Sequence, residues 1–484
     1  MLYGHVQFLK HLKQGLPKDA HNKKPSVALA EIFPNIAQCP PIVYLDLWPF
    51  LSQPLIMAIS PEACFQLTQE TPQPRDSIFR CAMLPVTRGK DMISMNTSDH
   101  RLWRSRLNPG FSSRKLMSGL LILLEEVGIF ARQLKAQAGT NKGWGDTFTL
   151  YERIISLTFD IIMRIAFHEQ TEGPGPILKA MRQLLTHVKS PNLWTKLERL
   201  DPSYRRDVAM QNGIIRRQLL PQIESQLVHT DSCENSSNNS KTVLSLALSK
   251  FRKENQITSQ QGKNTKPSLE FIDIVESQLR LFISAGHDRT AQAICWIFYE
   301  INKNPAILTR LREEHDTLSI DTSPTPFRFN LSSGQFCVLI RVPRIHYSTA
   351  GALIQTNPTV LHLREDLWHR TTEFLPDRFL ATAQEEGHPL RPVKNTWRAF
   401  RSELGHTRCI GEELAIMEMK LALILTVWDL DFDFGPHISD NEKFVAPTKV
   451  YSEPVSNTTC RMISLDTVDG EHIYISRGRR RWIR

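Results

Sequence analysis

Leu404-Gly405-His406-Thr407-Arg408-Cys409-Ile410-Gly411-Glu412-Glu413-Leu414-Ala415 sets one cysteine between a glycine-bearing turn and a long apolar helical pattern. The thiolate is the form of cysteine that binds metal, and a helix N-terminus favours it with its positive dipole end and unpaired amides. Gly405 and Gly411 allow the backbone to lie close to a flat ligand or to adopt positive φ. Haem iron suits such a single cysteine, because an axial thiolate pushes electron density onto iron and favours O–O cleavage. An isolated cysteine is otherwise most often a buried structural residue. The loop by itself leaves both readings open.

Four further stretches lie upstream. Glu373-Phe374-Leu375-Pro376-Asp377-Arg378-Phe379 precedes the loop, and Ala285-Gly286-His287-Asp288-Arg289-Thr290 sits inside a long apolar run. His100-Arg101-Leu102-Trp103-Arg104 is followed closely by Asn108-Pro109-Gly110-Phe111-Ser112. Together with Trp397-Arg398-Ala399-Phe400 and the Cys409 loop, these resemble, in order, the motifs of the cytochrome P450 family of haem-thiolate monooxygenases, fungal members included.

The resemblance implies a mostly α fold in a single catalytic domain over residues 1–484, with a long central helix over haem and a small β-rich region. It implies Cys409 as the iron ligand, with Gly405, Arg408 and Gly411 framing the loop. His100 and Arg104, four residues apart and so on one helix face, would hold the propionates. Ala285 and Gly286 would open the central helix beside the iron, and Asp288 and Thr290 would route protons. The implied cofactor is heme b, with electrons from NADPH through a cytochrome P450 reductase. The substrate would be a hydrophobic small molecule, a fungal secondary metabolite or a lipid-like compound, in an apolar pocket to which Phe79, Phe282 and Ile283 could contribute. The family also implies a monomer at the cytosolic face of the endoplasmic reticulum membrane.

Composition agrees with an ordinary globular enzyme. Hydrophobic residues make up 41% of 484, and none of the eight cysteines has the Cys-x-x-Cys spacing of a zinc ribbon or redox dithiol. The formal charge of +9 owes part of its excess to the tail Arg477-Gly478-Arg479-Arg480-Arg481-Trp482-Ile483-Arg484. We read that tail as a solvated end rather than a nucleic-acid site, while a basic surface suits docking of an acidic flavoprotein. Met1 to Lys10 is too short and polar to span a bilayer. Either the true start lies elsewhere or membrane contact is only peripheral, with a cytoplasmic location as the alternative.

Along the chain, residues 28–95 read as β-rich, with short strands and turns. Apolar residues recur at helical spacing over 114–136 and 150–167. Residues 228–268 form a polar loop region with a helical turn near 243–251, and 269–302 reads as the central helix. A shorter helix follows Asn304-Pro305, strands are expected over 330–344, and 400–428 holds the Cys loop and a last helix beginning at Glu412. Gly286 in mid-helix costs about 1 kcal/mol relative to Ala and so needs a reason.

Three departures from the family pattern stand out. No glutamate in the chain has arginine three residues later, so the family's Glu-x-x-Arg pair is absent and the interval 319–355 reads as deleted or replaced. That would deprive Arg378 of the partners of a buried charge network. Arg289 stands where the family has a proton-relay threonine; it is expected to pair with Asp288 or a propionate, or to turn away. Thr407 replaces a propionate-binding arginine, with adjacent Arg408 as the substitute cation, and Phe400 falls two places early. These departures carry the runner-up, a catalytically impaired or truncated relative. An unrelated helical binding protein is the remaining alternative.

Overall fold

The computed structural model describes residues 41–46, 54–67, 77–139, 143–167, 175–189, 193–232, 268–320, 353–356, 388–390, 408–434 and 459–464, with parts of 242–251 and 361–380. In chain order the elements are β1 (Ile42–Leu45), β2 (Leu55–Ala58), α1 (Pro61–Phe65), α2 (Ser77–Thr87), α3 (Thr97–Leu107), α4 (Ser113–Ser118), α5 (Leu120–Gln137) and β3 (Phe148–Thr149). They continue with α6 (Leu150–Phe167), α7 (Pro176–Thr186), α8 (Leu193–Glu198), α9 (Pro202–Ser232), α10 (Leu269–Lys303), α11 (Pro305–Ile320), β4 (Leu353–Thr356), α12 (Glu412–Thr426), β5 (Leu430–Asp433) and β6 (Thr459–Ser464). Helices dominate, with two small sheets.

The central helix, α10, runs 35 residues without a break. Ser268 caps it, its hydroxyl accepting from the Phe271 amide at 3.2 Å, and Pro305 follows Asn304 as the stop. From Val275 to Ser284 every residue is buried. It packs against α6, α12, α2, α9 and α11. The main core joins it to Ile154, Phe159 and Ile162 of α6, to Leu123 and Leu134 of α5, and to Leu414 and Ala422 of α12. α12 and the buried run of α10 are thus parts of one packed body.

A helix buried on nearly every side must settle its own charges. Arg280, 0% exposed, donates from Nε and Nη2 to Glu276 Oε1 at 2.9 and 2.6 Å. It also donates to the Val86 carbonyl of α2 at 3.3 Å, and to the Asn212 side chain and carbonyl of α9. Glu276 takes Arg216 of α9 as a second cation, and Arg216 reaches Asp273 at 2.9 Å. Nearby, Ser277 donates to the Thr87 carbonyl, and Gln278 accepts from the Met92 amide at 2.9 Å. One polar knot therefore fastens α2 and α9 to the N-terminal half of α10.

The first sheet orders β1-β2-β4: β1 and β2 pair antiparallel, Ile42 opposite Ala58, and β2 and β4 pair parallel, Leu55 opposite Leu353. The second orders β3-β6-β5, all antiparallel. The β-rich reading of 28–95 needs correction, because 61–65 and 77–87 are helical. Ser60 caps α1, accepting from the Ala63 amide at 3.1 Å with Pro61 in the first turn, where its missing N–H costs nothing. Pro85 is tolerated within α2 because the Cys81 carbonyl, left without the N–H that proline lacks, accepts from Arg199 Nη2 at 2.7 Å. The helical stretch 114–136 is broken into α4 and α5 at Gly119. The strands expected over 330–344 lie outside the described residues.

Arg280→Ala should destabilise the protein by about 3–5 kcal/mol, the typical cost of removing one member of a buried ion pair. A lowered urea midpoint with unchanged slope is the expected result.

Candidate functional site

Cys409 lies three residues ahead of α12, and Gly411 is the residue before that helix. Cys409 is exposed and in no disulfide among the described residues, whereas Cys64 and Cys295 are buried and the Cys295 thiol is pushed up to about 12 by burial. Beside Cys409, Arg408 donates from Nε to Glu412 at 2.8 Å and sits 3.6 Å from Glu413. Arg408 is therefore engaged by acids of the first turn of α12. Gly405, Thr407 and Phe400 lie outside the described residues. An exposed thiol before a helix N-terminus, beside a guanidinium, is a donor that fits a soft, electron-poor metal.

Across α10, burial changes abruptly after Ser284. Ala285 and Arg289 are exposed, one turn apart, and Gly286, Gln292, Ala293 and Trp296 are half-buried, while His287, Thr290, Ala291 and Ile294 stay buried. An open stripe thus begins at Ala285 and carries Arg289. Gly286 has a packing reason of its own: a Cβ there would come within 3.1 Å of Ile162 on α6. Phe282 and Ile283 are core residues, Phe282 meeting Phe111 edge to face at 5.0 Å.

Of the expected proton-handling residues, Thr290 is buried and Asp288 is half-buried. Asp288 Oδ1 accepts from the Tyr151 hydroxyl of α6 at 2.6 Å and lies 3.3 Å from Gln292 Nε2. Burial, then Asp288, pushes the Tyr151 phenol well up. Thr158 of α6 donates to the His287 carbonyl at 2.8 Å. His287 gives its Nδ1 hydrogen to the Ile283 carbonyl, while its buried Nε2 has no polar partner among the described residues. Burial holds that imidazole neutral by pushing its pKa down. Arg289 makes no ion pair with Asp288 among the described residues.

His100 is buried and Arg104 half-buried on α3. Trp103 stacks on Phe271 of α10 at 5.6 Å, and the Arg106 guanidinium lies over Trp103 and Phe251 at 5.0 and 5.1 Å, fixing how α3 sits. Gly110, after α3, must be glycine: a Cβ would approach the Val243 side chain to 2.9 Å and its Cα to 3.1 Å. The structure thus brings α3, α10 and α12 into one core.

Arg378, expected to lose its partners, is buried and well supplied. It donates to the carbonyls of His369 at 2.9 Å, Arg370 at 3.2 Å and Leu375 at 3.2 Å, and lies over Trp368 at 6.0 Å. Backbone carbonyls do there what a carboxylate does elsewhere. Asp377 beside it takes both Nη atoms of Arg310 on α11, at 2.7 and 2.9 Å.

Sequence reasoning missed Tyr151, Thr158 and Glu418. The first two act on residues 137 and 129 positions away, a distance no local motif encodes. Glu418, on α12, is 1% exposed; its Oε2 has no polar partner among the described residues, and burial raises its pKa well above the usual carboxylate range. No described group of His, Cys, Asp and Glu has the makings of a protein-only metal centre.

Comparison with known proteins places these features. The family profile described as Cytochrome P450 matches residues 33–327 and 348–460, skipping an interval inside 319–355. Cytochrome P450 monooxygenase polC of Polytolypa hystricis is 29% identical across 91% of this chain and 82% of its own length. Cytochrome P450 monooxygenase acrF of Aspergillus aculeatus is 22% identical across 87% of this chain and 90% of its own. The crystal structure of the cytochrome P450DA heme domain superposes with a TM-score of 0.62, covering 95% of each chain at 18% identity, a likeness of fold.

Gly286→Val should cost about 1–3 kcal/mol through overpacking against α6, and Ile162→Ala in the same chain should recover part of that loss in urea denaturation. Glu418 binds a proton in the fold that it has lost in the unfolded chain once pH exceeds the ordinary carboxylate range. The native protein therefore loses stability as pH rises through that window. Glu418→Gln should gain on the wild type by up to about 1.4 kcal/mol per pH unit there, read from paired urea midpoints at successive pH values.

Proposed function

The chain belongs to the cytochrome P450 family and is an oxidoreductase of its monooxygenase class, and on that ground we propose that it inserts one atom of dioxygen into a hydrophobic organic substrate, the other leaving as water. The observation that carries this reading is the exposed Cys409 thiol at the head of α12, a helix packed against α10.

When bound, heme b supplies the activation of dioxygen and the oxygen transfer. Cys409 Sγ would hold the iron, with Gly405 and Gly411 giving the loop its freedom. His100 and Arg104, one turn apart on α3, would donate to the propionates. Ala285, with no side chain beyond Cβ, leaves room on the open stripe. Asp288 and Thr290 are the proton-handling pair in this reading, and Tyr151 holds the Asp288 carboxylate toward α6. Electrons come from NADPH through a flavoprotein reductase, and the chain works as a monomer.

The fungal origin of the two relatives supports a secondary-metabolite or lipid-like substrate. A taurochenodeoxycholic 6 alpha-hydroxylase of Sus scrofa, 26% identical over 58% of this chain, supports the same amphiphilic class. No described helix is long and apolar enough to cross a membrane, and we place the protein peripherally at the cytosolic face of the endoplasmic reticulum. A second reading, a member with impaired catalysis, draws support from the missing Glu-x-x-Arg pair and the interrupted profile match at 328–347.

Carbon monoxide difference spectroscopy of the reduced protein, expressed with haem supply, separates the two: a thiolate-type Soret band supports the first, and a displaced or missing band the second. Cys409→Ala should abolish the thiolate band, leaving at most an imidazole-type spectrum through His406. A wild-type spectrum in that variant would remove Cys409 as the ligand.

A further inference from the structure

Two arginines of α10 sit nine positions apart in opposite circumstances. Arg280 is wholly buried and saturated by Glu276, Asn212 and Val86. Arg289 is exposed on the open stripe, and no hydrogen bond or ion pair engages it among the described residues. Its neighbouring acid, Asp288, is turned to Tyr151 and Gln292. The other side chains of the stripe from Ala285 to Trp296 are Ala285, Gln292, Ala293 and Trp296, and the next acid on that face, Glu300, lies eleven residues beyond Arg289. Between Ala285 and Trp296 the described stripe is therefore largely apolar, with Arg289 as its fixed cation.

That surface is the complement of an apolar molecule with one anionic group. A guanidinium stays protonated at any physiological pH, and its planar fork presents paired N–H donors that match a carboxylate. While water fills the space the charge is solvated. When an apolar ligand displaces that water, an unmatched guanidinium becomes costly, and a neutral ligand meets this cost in full. A ligand carrying a carboxylate removes it and gains a charged pair of hydrogen bonds.

We infer that Arg289 is a substrate-anchoring residue and that the substrate is a hydrophobic carboxylic acid, bound as its carboxylate. The inference rests on the proposed reading of the open stripe as the face toward the haem. It names Arg289 as a determinant of specificity: an acid is held by its polar end, so the carbon presented for oxidation lies at a set distance along the molecule from the carboxylate.

The test uses the full-length, haem-loaded protein and isothermal titration, a binding readout independent of turnover. The probes are straight-chain acids from octanoate to hexadecanoate and the rigid acid deoxycholate, each set against its primary amide. At least one acid should bind about tenfold to a hundredfold more tightly than its amide, the range expected of hydrogen bonds to a charged group. Arg289→Gln should collapse that ratio to near one with haem content unchanged, and Arg289→Lys, which keeps the charge without the fork, should retain part of it. Equal binding of every acid and its amide overturns the inference, as does a preference that survives in Arg289→Gln. Loss of haem from Arg289→Gln alone would assign the guanidinium to the propionates and overturn it too. A wild type with no thiolate-ligated haem would instead sink the monooxygenase reading itself, so the two failures are distinct. Should Arg289→Gln not fold, the wild-type ratio and the Arg289→Lys variant still decide the matter.

Discussion

A helix surrounded by protein on nearly every side cannot leave a charge unmatched, and α10 is such a helix over its first half. Burial of an ion is tolerable only when hydrogen bonds replace the lost water. Arg280 and Glu276 meet that condition by recruiting α2 and α9, so the electrostatic demand of one helix fixes the placement of two others. Beyond Ser284 the constraint is lifted, because one side of the helix opens. The boundary between the two regimes falls at the Ala285-Gly286 pair.

On its packed side, the second half of α10 is governed by α6. Thr158 bonds the His287 carbonyl, Tyr151 holds Asp288, and Ile162 occupies the space that a side chain at 286 would need. Glycine at that position thus satisfies a neighbour as well as whatever enters the open side. A single residue answers two requirements, which is why its cost in helix propensity is accepted.

Much of this was legible in advance. The unbroken apolar run from Leu269, the proline after Asn304 and the helix starting at Glu412 all have local causes: periodicity, capping and chain stiffness. The ordered motifs around Cys409, Ala285 and His100 pointed to the family because each couples a residue type to a chemical need. Helices over 61–65 and 77–87 escaped notice because proline there suggested turns, whereas Pro61 starts a helix and the Cys81 carbonyl that Pro85 leaves open is served by Arg199. The surroundings of Arg378 were equally hidden. Loss of a carboxylate partner is visible in a sequence, but the carbonyls of His369, Arg370 and Leu375 become a receptor only when the chain folds around the guanidinium.

The first sheet imposes an order of assembly during synthesis. β1 and β2 are neighbours in sequence and can pair as soon as both leave the ribosome, yet the other edge of β2 waits for β4, Leu55 lying opposite Leu353. At about 5–20 residues per second, that edge stays open for something on the order of fifteen seconds to a minute. β3 waits similarly for β6, since Phe148 pairs with Cys460. The helical centre can therefore be in place before either sheet is complete, and the open edge of the apolar strand Leu55–Ala58 is a part of the nascent chain that gains from a chaperone's cover.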